Sequence, residues 1–226
     1  MVDIVYLGHS AFLLESSKGK ILVDPFITGN PLASAPKDFK PDLILVTHAH
    51  GDHLGDAIEI SKRTRAPVHS TFEVANYVSS KGAKSIDGHI GGTLVMPFCS
   101  VKIFPAFHGS SVDGITSVGI ACSFVISTDG KVIYHAGDTA LFGDMKLIGE
   151  EFEIDMALLP IGGHYTMGID DAVRAAAMLN SKFVIPMHYN TFDAIRADPE
   201  EFRKKVESKT RAKCIILRPG ERYRLA

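Results

Sequence analysis

The chain has 226 residues, of which 46% are hydrophobic and 22% charged, and 24 Lys and Arg against 26 Asp and Glu give a net charge of −2. This size and hydrophobic fraction suit one globular domain over residues 1–226. No basic tract stands out, so the sequence has no electrostatic footprint for nucleic acid, and no apolar run approaches the roughly 18 residues of a membrane helix.

The N-terminal segment and the cysteines indicate a cytoplasmic protein. The segment "MVDIVYLGHSAFLLE" has no basic region and carries Asp3 and His9, so it predicts a strand and not a signal peptide. The three cysteines, Cys99, Cys122 and Cys214, are far apart and form no CxxC pair. We therefore predict reduced, buried thiols.

The first half of the chain is rich in predicted strands. Short β-branched or aromatic runs predict strands at "DIVYLG", "AFLLES", "GKILVDP", "DLILVTH", "APVHST", "GTLVMP" and "SVKIFPAF". Apolar residues at helical spacing predict helices at "DHLGDAIEISKRT" and at "TFEVANYVSSKG", the latter with Thr71 as N-cap and Gly82 as its end. The Gly- and Pro-rich stretch "ITGNPLASAPKDFKP" predicts a long loop of the kind that often carries function.

The second half repeats this pattern. Strands are predicted at "GIACSFVIST" and "KVIYHAG", joined by a hairpin at Asp129-Gly130, and later at "IDMALLP", "KFVIPMH", "AKCIILRPG" and "ERYRLA". Helices are predicted at "LFGDMKLIGEE", "GIDDAVRAAAMLN" and "DPEEFRKKVESK". Two halves that both combine strands and helices predict an α/β (α+β) fold, with two sheets packed face to face and helices outside.

A dense polar cluster follows one apolar run. The segment "VTHAHGDHLGD", residues Val46–Asp56, comes directly after a predicted strand. His48 and His50 are two residues apart, so on an extended strand end their side chains point the same way. Asp52 and His53 lie at the entry to the following helix, where the chain turns. One short segment thus presents imidazoles and a carboxylate to neighbouring points, which is typical of a metal site.

Single polar residues follow other predicted strands. Asp24 ends "ILVD", His108 follows "VKIFPAF", Asp138 follows "VIYHAG" and His188 follows "FVIPM". An α/β architecture places its site at such strand ends. Neutral imidazole and carboxylate are good ligands for zinc and other first-row divalent ions, so these residues are candidate partners of the cluster.

Together these motifs resemble a known family. HxHxDH, a separate His, Asp in "GDT" and a late His resemble the metallo-β-lactamase superfamily. More narrowly, "LGHSAFLLE", "DPFITGNP", "HAGDT", "PIGGHYTMG" and "VIPMHY" look like a subgroup of small metal-dependent hydrolases similar to ascorbate-6-phosphate lactonase. The resemblance covers nearly the whole chain and implies a four-layer αββα sandwich, the metallo-β-lactamase fold, with a two-metal site.

The resemblance also implies two ligand sets and a bridging carboxylate: His48, His50 and His108 for the first ion, Asp52, His53 and His188 for the second, and Asp138 between them. Asp24 matches an early aspartate of the family that orients a ligand histidine. The expected cofactors are two divalent metal ions, zinc first, with manganese, nickel or iron as alternatives.

The implied activity follows from the ions. A divalent ion lowers the pKa of bound water from 15.7 to about 7 and so supplies hydroxide at neutral pH. No GxSxG, P-loop, GxGxxG or HExxH motif points to other chemistry. We predict a hydrolase that attacks an ester, lactone or phosphoester bond of a small molecule, with Asp52, Asp138 and His164 as candidate catalytic residues.

Five further residues are weaker candidates for the site. His9 and His164 lie at strand ends that the resemblance puts beside the metals, so each is a candidate contact for substrate or product. His135 either supports the Asp138 loop or packs in the core. Tyr165 and Phe26 are candidates to wall the pocket, although aromatic residues more often belong to a core.

Several predictions concern the surroundings of the site. The loops Ile27–Pro41 and Gly109–Ser117 are predicted to border the pocket, because each follows a strand end that bears a candidate residue. Lys37, Lys40 and Arg196 either meet an anionic substrate or are surface residues, and the second reading is favoured.

Three rival functions stay open at this point. They are a nuclease or phosphodiesterase acting on nucleic acid, an iron-based redox enzyme on the same fold, and a binding module without catalysis. A chain of 226 residues at net charge −2 has no room for an added nucleic-acid arm, and no flavin or haem segment is visible. The expected partner is therefore a small-molecule substrate, with neither nucleic acid nor a membrane. A homo-oligomer is also expected, because the smaller hydrolases of the superfamily that the chain resembles often self-associate.

Overall fold

The computed structural model describes residues 1–34 and 40–226, in which most strands belong to two large sheets. In chain order the strands are β1 (Val2–Gly8), β2 (Ala11–Glu15), β3 (Lys20–Val23), β4 (Leu43–Leu45), β5 (Val68–Thr71), β6 (Ser85–Gly88), β7 (Thr93–Met96), β8 (Cys99–Pro105), β9 (Ser111–Val112), β10 (Thr116–Ser117), β11 (Cys122–Thr128), β12 (Lys131–His135), β13 (Met156–Pro160), β14 (Phe183–Met187), β15 (Lys213–Cys214) and β16 (Arg222–Leu225). The helices are α1 (Gly51–Leu54), α2 (Ala57–Thr64), α3 (Phe72–Ser80), α4 (Met145–Glu151), α5 (Ile169–Leu179) and α6 (Pro199–Lys209), with a 3-10 turn at Asp193–Ile195.

Each half of the chain supplies most of one seven-stranded sheet. The first sheet has the order β16-β1-β2-β3-β4-β5-β6, and the second has the order β15-β14-β13-β12-β11-β8-β7. The last strand returns to the first sheet, where β16 pairs antiparallel with β1. Strands β9 and β10 form a separate small hairpin.

The two sheets share one apolar core. Phe12 and Leu45 of the first sheet and Phe124 of the second belong to the same buried cluster. A second cluster packs the other face of the first sheet against α2 and α3, and α5 packs on the second sheet through β13. Each fully buried aliphatic side chain contributes about 1.5–3 kcal/mol to this packing. The layer order is helix, sheet, sheet, helix, so the predicted αββα fold is confirmed.

The candidate metal ligands, with His9 and Asp24, lie at one edge of the two sheets. Strands β3, β4 and β5 run parallel to one another, as do β12, β13 and β14. Because carboxyl ends of parallel strands meet at one edge, the residues that follow them are neighbours. The residues that follow β1, β3, β4, β8, β12 and β14 there are His9, Asp24, the Val46–Asp56 segment, His108, Asp138 and His188.

Two local predictions need correction, and one strand was missed. The strand predicted at "DLILVTH" ends at Leu45, so His48 and His50 lie on irregular backbone. The helix predicted at "DHLGDAIEISKRT" is split into α1 and α2 at Gly55, whose φ is +43° and whose added Cβ would lie 2.3 Å from the carbonyl oxygen of Pro25. Strand β6 was not predicted, because the sequence "SIDG" has no apolar run.

Most other elements agree with the sequence, but the strand predicted at "AKCIILRPG" covers only Lys213–Cys214. The Asp129-Gly130 turn has positive φ at both residues and joins Thr128 to Lys131 in register. The three cysteines are free and buried, as predicted, and burial raises the pKa of Cys99 to about 11 and that of Cys214 to about 12. None of the described helices is long and apolar enough to cross a membrane.

Candidate metal centre

The seven candidate ligands meet at the shared sheet edge. The nitrogen and oxygen atoms of these ligands and of His9 form three overlapping groups, and all members of a group lie within 4.8 Å of one another: His48, His50 and His108; His48, His53 and Asp138; and His9, Asp52, His53 and His188. Such spacing suits ligands around one or two small cations.

The first group consists of three histidines. Nε2 of His48 lies 3.0 Å from Nδ1 of His50, and the ring of His108 is 5.1 Å from each of the other two rings. The HxH spacing brings the two rings together even without an extended strand, because the backbone bends between β4 and α1.

Asp138 lies between His53, His188 and His108. Its Oδ1 is 3.2 Å from Nε2 of His53, and its Oδ2 is 3.0 Å from Nε2 of His188 and 3.6 Å from Nε2 of His108. The side chain is almost fully buried. On the other side of His188 lies Asp52, whose Oδ2 is 3.8 Å from Nε2 of His188.

Asp24 and Thr47 set the tautomers of two histidines. Oδ2 of Asp24 accepts hydrogen bonds from Nδ1 of His53 at 2.7 Å and from the Thr47 hydroxyl at 2.7 Å. Since the Thr47 hydroxyl hydrogen points to Asp24, its oxygen accepts from Nδ1 of His48 at 3.0 Å. With Nδ1 as the donor, the neutral form of each ring has its free Nε2 on the side of the cluster, which is the form that binds metal. Thr47 was not among the predicted residues.

Several buried atoms of the candidate ligands lack hydrogen-bond partners. Among the described residues, Nε2 of His53, Oδ1 of Asp138 and both ring nitrogens of His188 are buried without one. The close approaches to Asp138 therefore lack hydrogen-bond geometry. Buried polar atoms without partners are costly, at about 1–3 kcal/mol each, and a bound cation would satisfy them. The donor set of imidazole and carboxylate thus fits divalent metal ions.

Charges in the cluster shift several pKa values. Burial would lower the pKa of His188, but Asp138 beside it raises that pKa to about 9. Burial would raise the pKa of Asp138, but His53 and His188 hold it well below its usual value. Burial holds the pKa of His48 well below its usual value, so that ring is neutral at pH 7. The site therefore concentrates negative charge on Asp138.

His9 contacts Asp52 from the turn between β1 and β2. Its Nε2 is 3.2 Å from Oδ2 of Asp52, and its Nδ1 is 2.9 Å from the hydroxyl oxygen of Thr191. Its carbonyl oxygen accepts the backbone N–H of His188, and both residues have positive φ. Burial lowers the pKa of His9 to about 4, so the ring is neutral at pH 7. Thr191 was not predicted.

His135 supports the Asp138 loop from the core. Its Nε2 donates to the carbonyl oxygen of Ser10 at 3.0 Å, and its Nδ1 accepts the N–H of Gly137 at 3.1 Å. The ring is fully buried and ties the turn beside His9 to the residue before Asp138. The geometry thus combines the two roles that the sequence left open, packing and support.

His164 and Tyr165 lie at the surface of the loop after β13. Both side chains are exposed, and their rings pack against each other at 4.5 Å. The loop is attached to the centre by the Met167 N–H, which donates to the carbonyl oxygen of Thr139 at 3.0 Å. His164 and Tyr165 are therefore near the Asp138 loop, and their contact with substrate stays a prediction.

The described start of the loop Ile27–Pro41 is tied to the cluster by Asp56. Oδ2 of Asp56 accepts the backbone N–H groups of Ile27 at 3.0 Å and Thr28 at 2.7 Å. Residues 35–39, which include Lys37, lie outside the described residues. Lys40 precedes β4 and so lies at the opposite edge of the sheet.

The loop Gly109–Ser117 borders the first group. A Cβ at Gly109 would lie 3.7 Å from Cε1 of His50. The Ser110 hydroxyl accepts the N–H of Ala49, which lies between the two histidines of HxH. This geometry agrees with the prediction that the loop borders the site.

Comparison with known proteins gives the same fold. A family model described as "Beta-lactamase superfamily domain" matches residues 3–188. A UPF0173 metal-dependent hydrolase of Pyrococcus furiosus is 54% identical over 230 residues and is covered in full, as is this chain. Another, of Methanosarcina barkeri, is 52% identical over 224 residues, or 97% of each chain. The solved structure of Igni18, a novel metallo hydrolase from Ignicoccus hospitalis, is 45% identical with a TM-score of 0.91, covering 98% of this chain and 97% of that chain.

The αββα sandwich and the histidines and aspartates at its strand ends define a metal-dependent hydrolase of the metallo-β-lactamase fold. The chain belongs to the beta-lactamase superfamily, and its near relatives carry the name metal-dependent hydrolase. The predicted superfamily and class of enzyme are confirmed. The narrower resemblance to ascorbate-6-phosphate lactonase stays a prediction.

Proposed function

We propose that the protein is a binuclear metal-dependent hydrolase that cleaves an ester, lactone or phosphoester bond of a small substrate. The observation that carries the proposal is the set of buried, unpaired nitrogen and oxygen atoms on His53, Asp138 and His188. Buried polar atoms are seldom left without partners, and here they belong to three side chains that converge on one place, where an ion would satisfy them.

The proposed ligands divide between two ions: His48, His50 and His108 for the first, and Asp52, His53 and His188 for the second, with Asp138 between them. The approaches of Asp138 to His53, His188 and His108 support the bridging role. Bound divalent ions would supply Lewis acidity and would lower the pKa of a coordinated water to about 7. Zinc is the favoured ion, with manganese, nickel or iron as alternatives, because the set has nitrogen and oxygen donors but no thiolate.

The chain's own residues would do the rest of the work. Asp24 and Thr47 hold the two ligand rings in one tautomer, which avoids reorganisation during the reaction. Asp52 is the proposed proton carrier, because its side chain is 29% exposed whereas that of Asp138 is 3% exposed. His9 would orient Asp52, since its Nε2–H donates to a carboxylate that only accepts. His164 is proposed to meet the leaving group from its exposed loop.

We further propose a cytoplasmic location, because three free cysteines suit a reducing compartment. The extent of the domain, residues 1–226, rests on the core that both sheets share. The homo-oligomer stays a prediction from the sequence.

A substrate screen tests the proposal. Metal-loaded protein would be assayed against lactones, thioesters and phosphodiesters, with a chelator-treated sample as the control. We expect hydrolysis of at least one class only in the loaded sample, lost in His48→Ala and kept in His89→Ala, which changes an exposed histidine outside the ligand groups. Equal hydrolysis by verified metal-free protein would rule the proposal out.

A further inference from the structure

Two partly exposed phenylalanine rings stand beside the Asp52 side of the metal centre. The rings of Phe26 and Phe192 each lie 5.6 Å from the ring of His9, which contacts Asp52. The two rings are 6.4 Å apart and tilted by 35°. Phe192 is 42% exposed, and Phe26 is half-buried. They therefore present aromatic surface to solvent next to the proposed second ion.

The backbone holds both rings in place. The N–H of Phe26 donates to the carbonyl oxygen of Asp24 at 2.7 Å, and Asp56 binds the next two backbone N–H groups. Phe192 follows Thr191, which is bonded to His9, and its carbonyl oxygen accepts the N–H of Ile195. The aromatic pair is thus tied to the same residues that shape the centre, and ordering it on binding would cost little.

The charge around the centre does not suit a second anionic group on a substrate. In the described residues of the two loops that carry these rings, 24–34 and 188–198, the one Lys or Arg is Arg196, and its guanidinium is paired with Asp193 at 2.6 Å. The adjoining segment adds the carboxylates of Asp52 and Asp56. Within these described loops an anionic tail would meet no unpaired cation and would be repelled by these side chains.

We infer that the substrate of the proposed hydrolase carries a neutral aromatic group that packs against Phe26 and Phe192 while its reacting bond lies at the metal centre. The inference rests on the proposed function. Aromatic groups pair favourably with phenylalanine rings in offset or edge-to-face geometry, beyond the area that they bury. The pair would act on specificity and not on the bond-breaking step.

Metal-binding probes separate the two proposals. The binding of benzohydroxamic acid and of acetohydroxamic acid to zinc-loaded protein would be measured by calorimetry, because both use the same metal-binding group and only one has a ring. We expect benzohydroxamic acid to bind about tenfold more tightly. This ratio should fall towards one in Phe192→Ala and Phe26→Ala. It should persist in Leu147→Ala, which removes an exposed apolar side chain on α4.

A charged probe and a second aromatic variant complete the test. We expect 4-carboxybenzohydroxamic acid to bind more weakly than benzohydroxamic acid, and tighter binding would contradict a neutral group. Phe107 is 61% exposed and precedes His108, so loss of the ratio in Phe107→Ala alone would overturn the choice of Phe26 and Phe192. Equal affinities for the two simple hydroxamates would overturn the inference and leave the proposed function standing. Binding of neither by the loaded protein would overturn both.

Discussion

Asp24 accepts a 2.7 Å hydrogen bond from Nδ1 of His53, and both side chains are fully buried. Asp24 also accepts hydrogen bonds from the backbone N–H and the hydroxyl of Thr47, so its two oxygens accept three hydrogen bonds in all. Through Thr47 the same carboxylate fixes the ring of His48. One aspartate outside the ligand set thus orients a histidine of each proposed metal site.

The variant Asp24→Asn tests this relationship. The amide has one acceptor oxygen and turns an N–H₂ group towards a donor, so the His53 or Thr47 bond is lost. We expect zinc affinity to fall by about 10–100-fold, as measured by competition with a chromogenic chelator. The control is Asp42→Asn, because the amide oxygen can still accept the one bond that Asp42 receives from the Lys20 N–H at the opposite edge of β4. Equal affinity in the two variants would contradict the orienting role.

Asp138 is expected to be the most sensitive single position. Asp138→Asn keeps the shape but removes the charge that lies between His53, His188 and His108. We expect fewer than two zinc ions per chain and a fall in turnover by about 10²-fold or more, because the proposed bridging carboxylate would touch both ions. The melting temperature should change little. Asp129→Asn, which alters an ordinary turn residue with positive φ, is the control. Two tightly bound ions and normal turnover in Asp138→Asn would defeat the bridging assignment.

The candidate positions could be predicted because polar residues, singly or in the Val46–Asp56 cluster, follow apolar runs, whereas their division between two ions came only from the family resemblance. His108, Asp138 and His188 stand out for that reason, since strand ends are where this architecture gathers side chains. Thr47 and Thr191 could not be predicted in the same way. Their partners, Asp24 and His9, are 23 and 182 residues away along the chain, and threonine is common in loops.

The fold shows a similar division. Strands with apolar runs and the Asp129-Gly130 hairpin are visible in the sequence, because burial and positive φ restrict which residues are allowed there. Strand β6 is not, because its "SIDG" side chains are partly exposed and its pairing with β5 depends on the neighbour. The split between α1 and α2 depends on the carbonyl group of Pro25, which only the folded chain brings to Gly55.

His9 is expected to affect the second ion more than the first. His9→Asn suits the positive φ of this position but is too short to reach Asp52. We expect affinity for the second zinc ion to fall by about tenfold, with the first little changed, in calorimetric titrations. Thr191→Val, which removes only the partner of Nδ1, should have a smaller effect in the same direction. An unchanged second binding step in His9→Asn would show that His9 does not orient Asp52.

Asp155 gives a test of stability at the edge opposite the metal centre. Its carboxylate accepts the N–H of Val132 at 3.0 Å and the ammonium group of Lys182 at 2.8 Å. Burial would raise the pKa of Asp155, but these partners lower it below the ordinary 3.8. A lowered folded-state pKa stabilises the protein above the unfolded-state pKa, and this contribution is lost as pH falls through the folded-state pKa.

We therefore expect Asp155→Asn to lower the free energy of unfolding by about 1–2 kcal/mol at pH 7. The difference from the wild type should shrink between about pH 5 and 3, as measured by urea unfolding of both proteins after chelator treatment, because histidine ligands release zinc in this pH range. Asp171→Asn, which breaks an exposed pair with Arg174, should have little effect at any pH. A difference for Asp155→Asn that is as large at pH 3 as at pH 7 would contradict the assigned pKa shift.

The number of metal ions bound per chain tests the central claim most directly. Chelator-treated protein would be reloaded with zinc, manganese, nickel or iron in separate samples, dialysed and measured by elemental analysis. The account predicts two tightly bound ions of at least one of these metals per chain, because seven converging side chains lie at one sheet edge and buried atoms among them lack partners. A chain that retains none of the four metals, while its circular dichroism spectrum shows it folded, would contradict the account.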